Sequence, residues 1–155
     1  MEFSPEPAPE RYRTPSAASM IAAIAASFER LLGRPLVEAT GDDVVSALWN
    51  APRVILAHGT QPDPIFCFEN RAALDCFETD LDSLLAMPSR LSAEAPLREE
   101  RQALLDRVAE HGFIDDYAGV RISAKGRRFR IENAVVWTVS DQAGVRIGQA
   151  ATFTP

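Results

Sequence analysis

Few side chains in this sequence have the chemistry to act on a substrate. They are the thiols of Cys67 and Cys76, the imidazoles of His58 and His111, the adjacent carboxyls of Asp115 and Asp116, and Glu132. A cysteine nucleophile needs a base within hydrogen-bond reach. A hairpin turning at residues 58–64 sets His58 opposite about Ile65 and Leu56 opposite about Cys67. Thiol and imidazole are not cross-strand neighbours in that register, and both cysteines read as small core residues. No CxxC or HxxxH spacing links Cys67, Cys76, His58 and His111, so they do not read as a zinc site. Asp115 and Asp116 enter a strand as neighbours and point to opposite faces, which prevents them from sharing a proton. They read as turn and capping residues. His111 sits in a helical last turn before Gly112, where a histidine meets free carbonyls and the helix dipole. Glu132 lies inside a predicted strand on the parity of Ala134 and Val136. If that face is the inner one, its carboxylate needs Arg130, Arg121 or a ligand as partner. The alternative is a paired glutamate at an exposed edge. No set of these residues forms a catalytic motif, and the chain reads as a non-enzyme.

The elements that must position these residues follow from periodicity and punctuation. Residues 1–13 alternate proline with Glu and Ser and read as a flexible tail. Thr14-Pro15 opens a helix as cap and first-turn residue. Its stripe is Met20, Ile21, Ile24, Phe28, Leu31 and Leu32, and Gly33 with Pro35 ends it. The opposite face is alanine and serine with few charges, so this helix packs along most of its girth. A second short helix spans Val44 to Trp49. Together these form a helical cap over residues 14–51. Val54 to Ala57 and Ile65 to Phe68 are strands of a hairpin. Asn70 caps a short helix containing Phe77, and Thr79 with Asp82 resembles a capping box for Leu81 to Met87. Leu97, Leu104, Leu105 and Val108 make the stripe of a longer helix ending at Gly112. Three strands follow: Tyr117–Ser123, Phe129–Val139 and Val145–Phe153. The strand Phe129–Val139 is apolar on both faces beyond Asn133, so it must be covered on both sides. The internal helices cover one side. The alanine-rich first helix is the cover for the other, set against Val135 and Trp137.

Composition excludes several classes. The chain has 155 residues, 46% hydrophobic and 25% charged, which is one ordinary globular domain. The net charge of -6 argues against a sequence-independent grip on nucleic acid. No apolar run approaches the roughly 18 residues of a membrane span. The acidic, proline-rich start is unlike a secretory signal. Two cysteines are too few for a disulfide scaffold, so a cytoplasmic location is expected.

The order of hairpin, short helices, longer helix and three antiparallel strands resembles a PAS domain from about Pro52 to the C-terminus. The stretches that carry this are Asp63-Pro-Ile-Phe-Cys-Phe-Glu-Asn70 and Asp141-Gln-Ala-Gly144 with Gly148. More narrowly the chain is similar to the MEKHLA domain, a PAS-like family of bacteria and plants. That resemblance rests on His58-Gly-Thr60, Met87-Pro-Ser-Arg-Leu91, Gly112-Phe-Ile-Asp-Asp-Tyr117 and Arg128-Phe-Arg-Ile-Glu-Asn-Ala-Val-Val-Trp137. It implies an α+β, PAS-like fold over residues 52–155. A five-stranded antiparallel sheet would carry helices on one face and the N-terminal cap on the other. In plants the domain is appended to homeodomain–leucine zipper transcription factors as a sensory or steric control module. This chain shows no homeodomain, basic region or heptads, so direct nucleic-acid binding is not implied.

The resemblance implies a small-molecule-binding or sensory domain that signals through a protein partner or homodimer. A ligand-free interaction or dimerisation module is the alternative, and a small enzyme using Glu132 or His111 is a third. A ligand would lie between the inner sheet face and the helices, lined by Phe66, Phe68 and Phe77 and oriented by Arg90 and Glu132. The loop Ser89 to Pro96 is the expected gate. The cofactor is left open. Haem would need His111 as ligand, in competition with its capping role. In light-oxygen-voltage domains a cysteine stands just before an arginine after the second short helix. Here that pair is Ser89-Arg90, and a hydroxyl is a far poorer adduct former than a thiol. The purified protein is therefore expected to be colourless, with no covalent blue-light response. A flavin spectrum that bleaches under blue light, or a Soret band lost in His111→Ala, would contradict this.

Overall fold

The computed structural model describes residues 6–37, 43–85, 87–88 and 98–155. Its helices are α1 Pro15–Leu32, α2 Val44–Trp49, α3 Arg71–Cys76, α4 Leu81–Leu85 and α5 Arg98–His111. Its strands are β1 Val54–His58, β2 Phe66–Glu69, β3 Phe113–Ile122, β4 Arg128–Ser140 and β5 Arg146–Phe153. They form one antiparallel sheet in the order β2-β1-β5-β4-β3. The fold is α+β with a PAS-like architecture.

Local chemistry accounts for the helix ends. Thr14 accepts the Ala17 N–H at 3.3 Å, and Pro15 fills the first helical position. Gly33 closes α1 with φ 73°, a left-handed conformation that costs glycine nothing. Asn70 is fully buried and caps α3 by accepting from Ala73 N–H at 3.0 Å. The same oxygen accepts from Ile55 N–H, and its amide donates to Leu48 and Arg53 carbonyls. The cap of α4 is Asp80, which accepts from Ser83 N–H at 2.8 Å, rather than Thr79.

The outer sheet face is sealed by α1. Phe28 meets Trp137 edge to face with ring centroids 4.9 Å apart. The Trp137 indole N–H donates to Ile24 O at 3.1 Å. Ser27 donates to Ser140 O at 3.2 Å and accepts from Ser140 N–H at 3.0 Å. Ile21, Ile24, Val135 and Val139 complete this layer. The expected cap is thus in place.

Of the segment 1–13 expected to be a flexible tail, the described residues 6–13 are instead held against the domain. Residues Glu10–Tyr12 form a short helical turn, and Tyr12 is buried against Phe68 at 4.9 Å. Glu6 accepts from the Trp49 indole at 3.1 Å and pairs with Arg71 at 3.2 Å. An aromatic anchor and a doubly held carboxylate overcome the ordering entropy that proline and serine content alone suggests.

Four bulges reset strand parity, one of them at Ile147 of β5, where Val139 pairs with Gly148 but Ser140 with Arg146. Ala57 pairs with Phe68 but His58 pairs with Phe66, so β2 carries one extra residue at Cys67. Ile114 pairs with Val136 and Tyr117 with Ala134, so β3 bulges at Asp115-Asp116. Tyr117 pairs with Ala134 and Gly119 with Ile131, so β4 bulges at Glu132-Asn133, where Asn133 has φ 52°. Ile131 therefore shares the inner face with Ala134 and Val136. Simple alternation had placed it with Val135 and Trp137.

Phe28→Ala removes the ring that abuts Trp137 and should destabilise the fold by about 3 kcal/mol. Urea unfolding followed by tryptophan emission measures this. An unchanged midpoint would mean that α1 is not part of the cooperative unit.

Candidate functional site

The inner sheet face and α5 enclose a cavity of about 70 Å³. Its apolar wall includes Leu56, Phe66, Phe77, Leu104, Val136 and Phe153. His58, Tyr117, Arg121 and Gln149 supply the polar groups. The volume admits a few water-sized groups. It is well below the roughly 300–1,000 Å³ of pockets for drug-sized ligands.

Strand register brings the polar groups together. His58 and Gln149 are directly paired residues of β1 and β5, only 7% and 8% exposed. His58 Nδ1 lies 2.9 Å from Gly59 O. A carbonyl can only accept, so this nitrogen carries the proton. Tyr117, Gly119 and Arg121 follow one another along the inner face of β3 at strand spacing. The Arg121 guanidinium stacks over the Tyr117 ring at 5.4 Å.

Of the expected site residues, Phe66 and Phe77 do line this cavity. Phe68 does not. The Cys67 bulge turns it to the outer face, where it packs on Tyr12. Glu132 does not either. The Asn133 bulge turns it to solvent, its side chain 64% exposed and paired with Arg130 at 2.9 Å. Arg90 and the loop Ser89 to Pro96 lie outside the described residues, as does Leu97. His111 is 62% exposed beside Glu110, away from the cavity. Asp115 and Asp116 both face solvent, and Asp116 pairs with Arg107 at 3.0 Å.

The thiols are poorly suited to nucleophilic attack. Burial, and secondarily Glu69, push Cys67 up to about 11, and burial also raises Cys76. Among the described residues, no group of three or more His, Cys, Asp or Glu is arranged to hold a metal ion. Nor does any helix among them have the length and apolarity to cross a membrane.

Sequence reasoning missed His58, Gln149, Tyr117 and Arg121 as cavity residues, and it missed Glu69. Glu69 is 0% exposed, and neither carboxyl oxygen has a hydrogen-bond partner among the described residues. Only its backbone is held, with its N–H donating to Tyr12 Oη at 3.0 Å. Burial pushes its pKa well above the ordinary carboxyl range. The sequence signal was an acid wedged between the apolar run Ile65–Phe68 and the capping Asn70.

Comparison with known proteins places the molecule. The MEKHLA domain family model matches residues 18–155. Homeobox-leucine zipper protein HOX29 of Oryza sativa subsp. indica is 29% identical over 136 residues, covering 84% of this chain. REVOLUTA of Arabidopsis thaliana, also a homeobox-leucine zipper protein, is 29% identical over 130 residues, 81% of this chain. The chain spans only 16% and 15% of those two proteins. Among solved structures, the photo-excited blue-light photoreceptor Vivid superposes with a TM-score of 0.60 at 14% identity. That match covers 92% of this chain and 97% of Vivid. The light-state dimer of Vivid, a fungal protein, gives 0.57 at 16% identity, covering 83% and 91%. A PAS domain from Colwellia psychrerythraea gives 0.59 at 13% identity, covering 70% and 89%.

The buried carboxyl sets a pH dependence. The folded-state pKa of Glu69 is above its unfolded value, so its contribution to stability is full below about pH 4.3. It is lost as the pH rises towards the folded value, by at most about 1.4 kcal/mol per pH unit. Glu69→Gln should therefore match the parent at pH 4 and exceed it increasingly at pH 6 and pH 8. Urea midpoints at these three pH values measure the divergence, and parallel values would refute it.

Proposed function

This chain belongs to the MEKHLA domain family, and from that premise we propose that it is a sensory module that binds a small molecule in the inner-face cavity and signals by protein contact. The observation that supports this most is the convergence of His58, Gln149, Tyr117 and Arg121 on an otherwise apolar hollow. Apolar walls with a few convergent polar groups are the usual lining of a ligand site, here at a volume that suits only a small molecule. Binding is favoured over catalysis because both thiols are held protonated and the carboxyls of Asp115, Asp116 and Glu132 face solvent. A cytoplasmic location suits the two free cysteines.

The α5 helix supplies the movable wall. Over residues 102–111 it buries only Leu104 and Val108, against Ile114 and Val136. Leu105 is half-buried at the cavity wall, and Gln102, Asp106, Arg107, Glu110 and His111 are exposed. Lifting it uncovers one small apolar cluster, less than the α1 layer holds, so it belongs to the low-stability end of the fold. Output passes to a partner protein or to a second copy of the chain. The light-state dimer of Vivid is a precedent for the latter on this fold.

Methyl-resolved NMR with phenol, indole and benzoate as probes tests the reading. Resonances of Leu56, Leu104 and Val136 should shift. Ala151→Ile, which fills the hollow from β5, should abolish the shifts while the melting temperature is maintained. Silent spectra for all three probes, with a dimer mass for the empty protein, would instead establish a ligand-free interaction module.

A further inference from the structure

Arg121 stands out among the described arginines around the β3–β4 hairpin. Three of its neighbours hold a carboxylate: Arg107 holds Asp116, Arg127 holds Glu78 and Arg130 holds Glu132. Arg121 faces the cavity, and its contact is the Tyr117 ring. No Asp or Glu is among the residues that line the hollow. In a chain of net charge -6, a cation with no anion among the described residues, at the edge of an apolar hollow, is a specific arrangement.

The strand also fixes where that cation points. Tyr117, Gly119 and Arg121 share one face of β3. A Cβ on Gly119 would come within 2.6 Å of Tyr117 Oη, so the missing side chain is what lets the phenol lie along the strand. The guanidinium then rests on that ring, which limits its freedom before any ligand arrives.

We propose that the cavity takes a small monocarboxylate, its hydrocarbon part in the hollow and its carboxylate on Arg121. The proposal rests on the reading of the hollow as a ligand site. Three features select this class. The wall of Leu56, Phe66, Phe77, Val136 and Phe153 requires an apolar body. A volume of about 70 Å³ requires a short chain or a single ring. One guanidinium matches one carboxylate in charge and in fork geometry. A phosphate monoester carries about −1.5 to −2 at neutral pH and would leave charge unmatched in an apolar site. Gln149, on the β5 side, adds neutral hydrogen-bonding capacity without a second charge.

The experiment pairs each acid with its uncharged isostere. Benzoate and butyrate, against benzamide and butyramide, are titrated into the full chain with inner-face methyl shifts as the readout. The acids should bind about tenfold more tightly than the amides. Arg121→Gln should cancel that difference and leave amide binding unchanged. Arg121→Lys should restore part of it, because it keeps the charge but not the fork. Equal affinity of acid and amide, or an acid preference that survives Arg121→Gln, overturns the proposal while the ligand site stands. Absence of inner-face shifts with all four probes overturns both. Unchanged circular dichroism of the two variants excludes misfolding as the cause.

Discussion

A sheet whose two faces are both apolar cannot stand in water, and the rest of this molecule answers that constraint. The strand β4 is the clearest case. Val135, Trp137 and Val139 face one way, and Ile131, Ala134 and Val136 face the other. The two covers are unequal. The outer one is α1, with a ring stack, a buried indole hydrogen bond and the reciprocal Ser27–Ser140 pair. The Trp137 indole and the Ser27 hydroxyl are both paired there, so parting this layer would forfeit both area and hydrogen bonds. The inner one includes α5 and Phe77 at the end of α3, and it leaves a hollow against that face of the sheet.

Most of this was legible in the sequence, because each element carried its own signal. Thr14-Pro15 and Gly33 bracket α1, and the two-faced apolarity of β4 required an outer cover that only α1 could provide. What was not legible is the side on which particular residues fall. Alternation is a strong rule only until one extra residue enters a strand. The bulges at Cys67 and at Glu132-Asn133 each invert the parity beyond them. They separate Phe68 from Phe66 and turn Glu132 out of the interior. The second had a trace in the sequence, since asparagine tolerates φ 52° better than most residues. The first is written only in cross-strand packing, which one strand read alone does not contain. The same inversions explain why Arg121 and Gln149 were not singled out for the cavity. Their side chains become neighbours only through the register of β3, β4, β5 and β1.

Glu69 and Asn70 show how differently two adjacent buried polar residues can be treated. Both are fully enclosed. Asn70 accepts two N–H groups and donates to two carbonyls, so it joins α2, β1 and α3 with nothing left unpaired. Its amide is a structural joint. Glu69 has its backbone tied to Tyr12 and its carboxyl tied to nothing among the described residues. The fold tolerates the group by keeping it neutral, which is far cheaper than enclosing a bare carboxylate.

The inequality of the two covers bears on how a binding event could leave the molecule. A ligand shifts a conformational equilibrium only by its differential affinity for the two states. A small molecule in a hollow of about 70 Å³ makes few contacts. The interaction energy it can bring to bear is therefore limited, and it acts on whichever element is held most weakly. Displacing α1 would expose Phe28 and Trp137 and break three hydrogen bonds. Displacing α5 over residues 102–111 uncovers Leu104, Leu105 and Val108 with Ile114 and Val136 beneath them, and breaks the exposed Arg107–Asp116 pair rather than buried hydrogen bonds. The response of lowest cost is thus a change in α5 and in the β3 edge strand beside it. Those elements lie at the end of the sheet opposite β2. A partner that reads the occupied state would meet the charged face of α5 and the solvent-facing Asp115-Asp116 bulge, while the α1 seam stays closed.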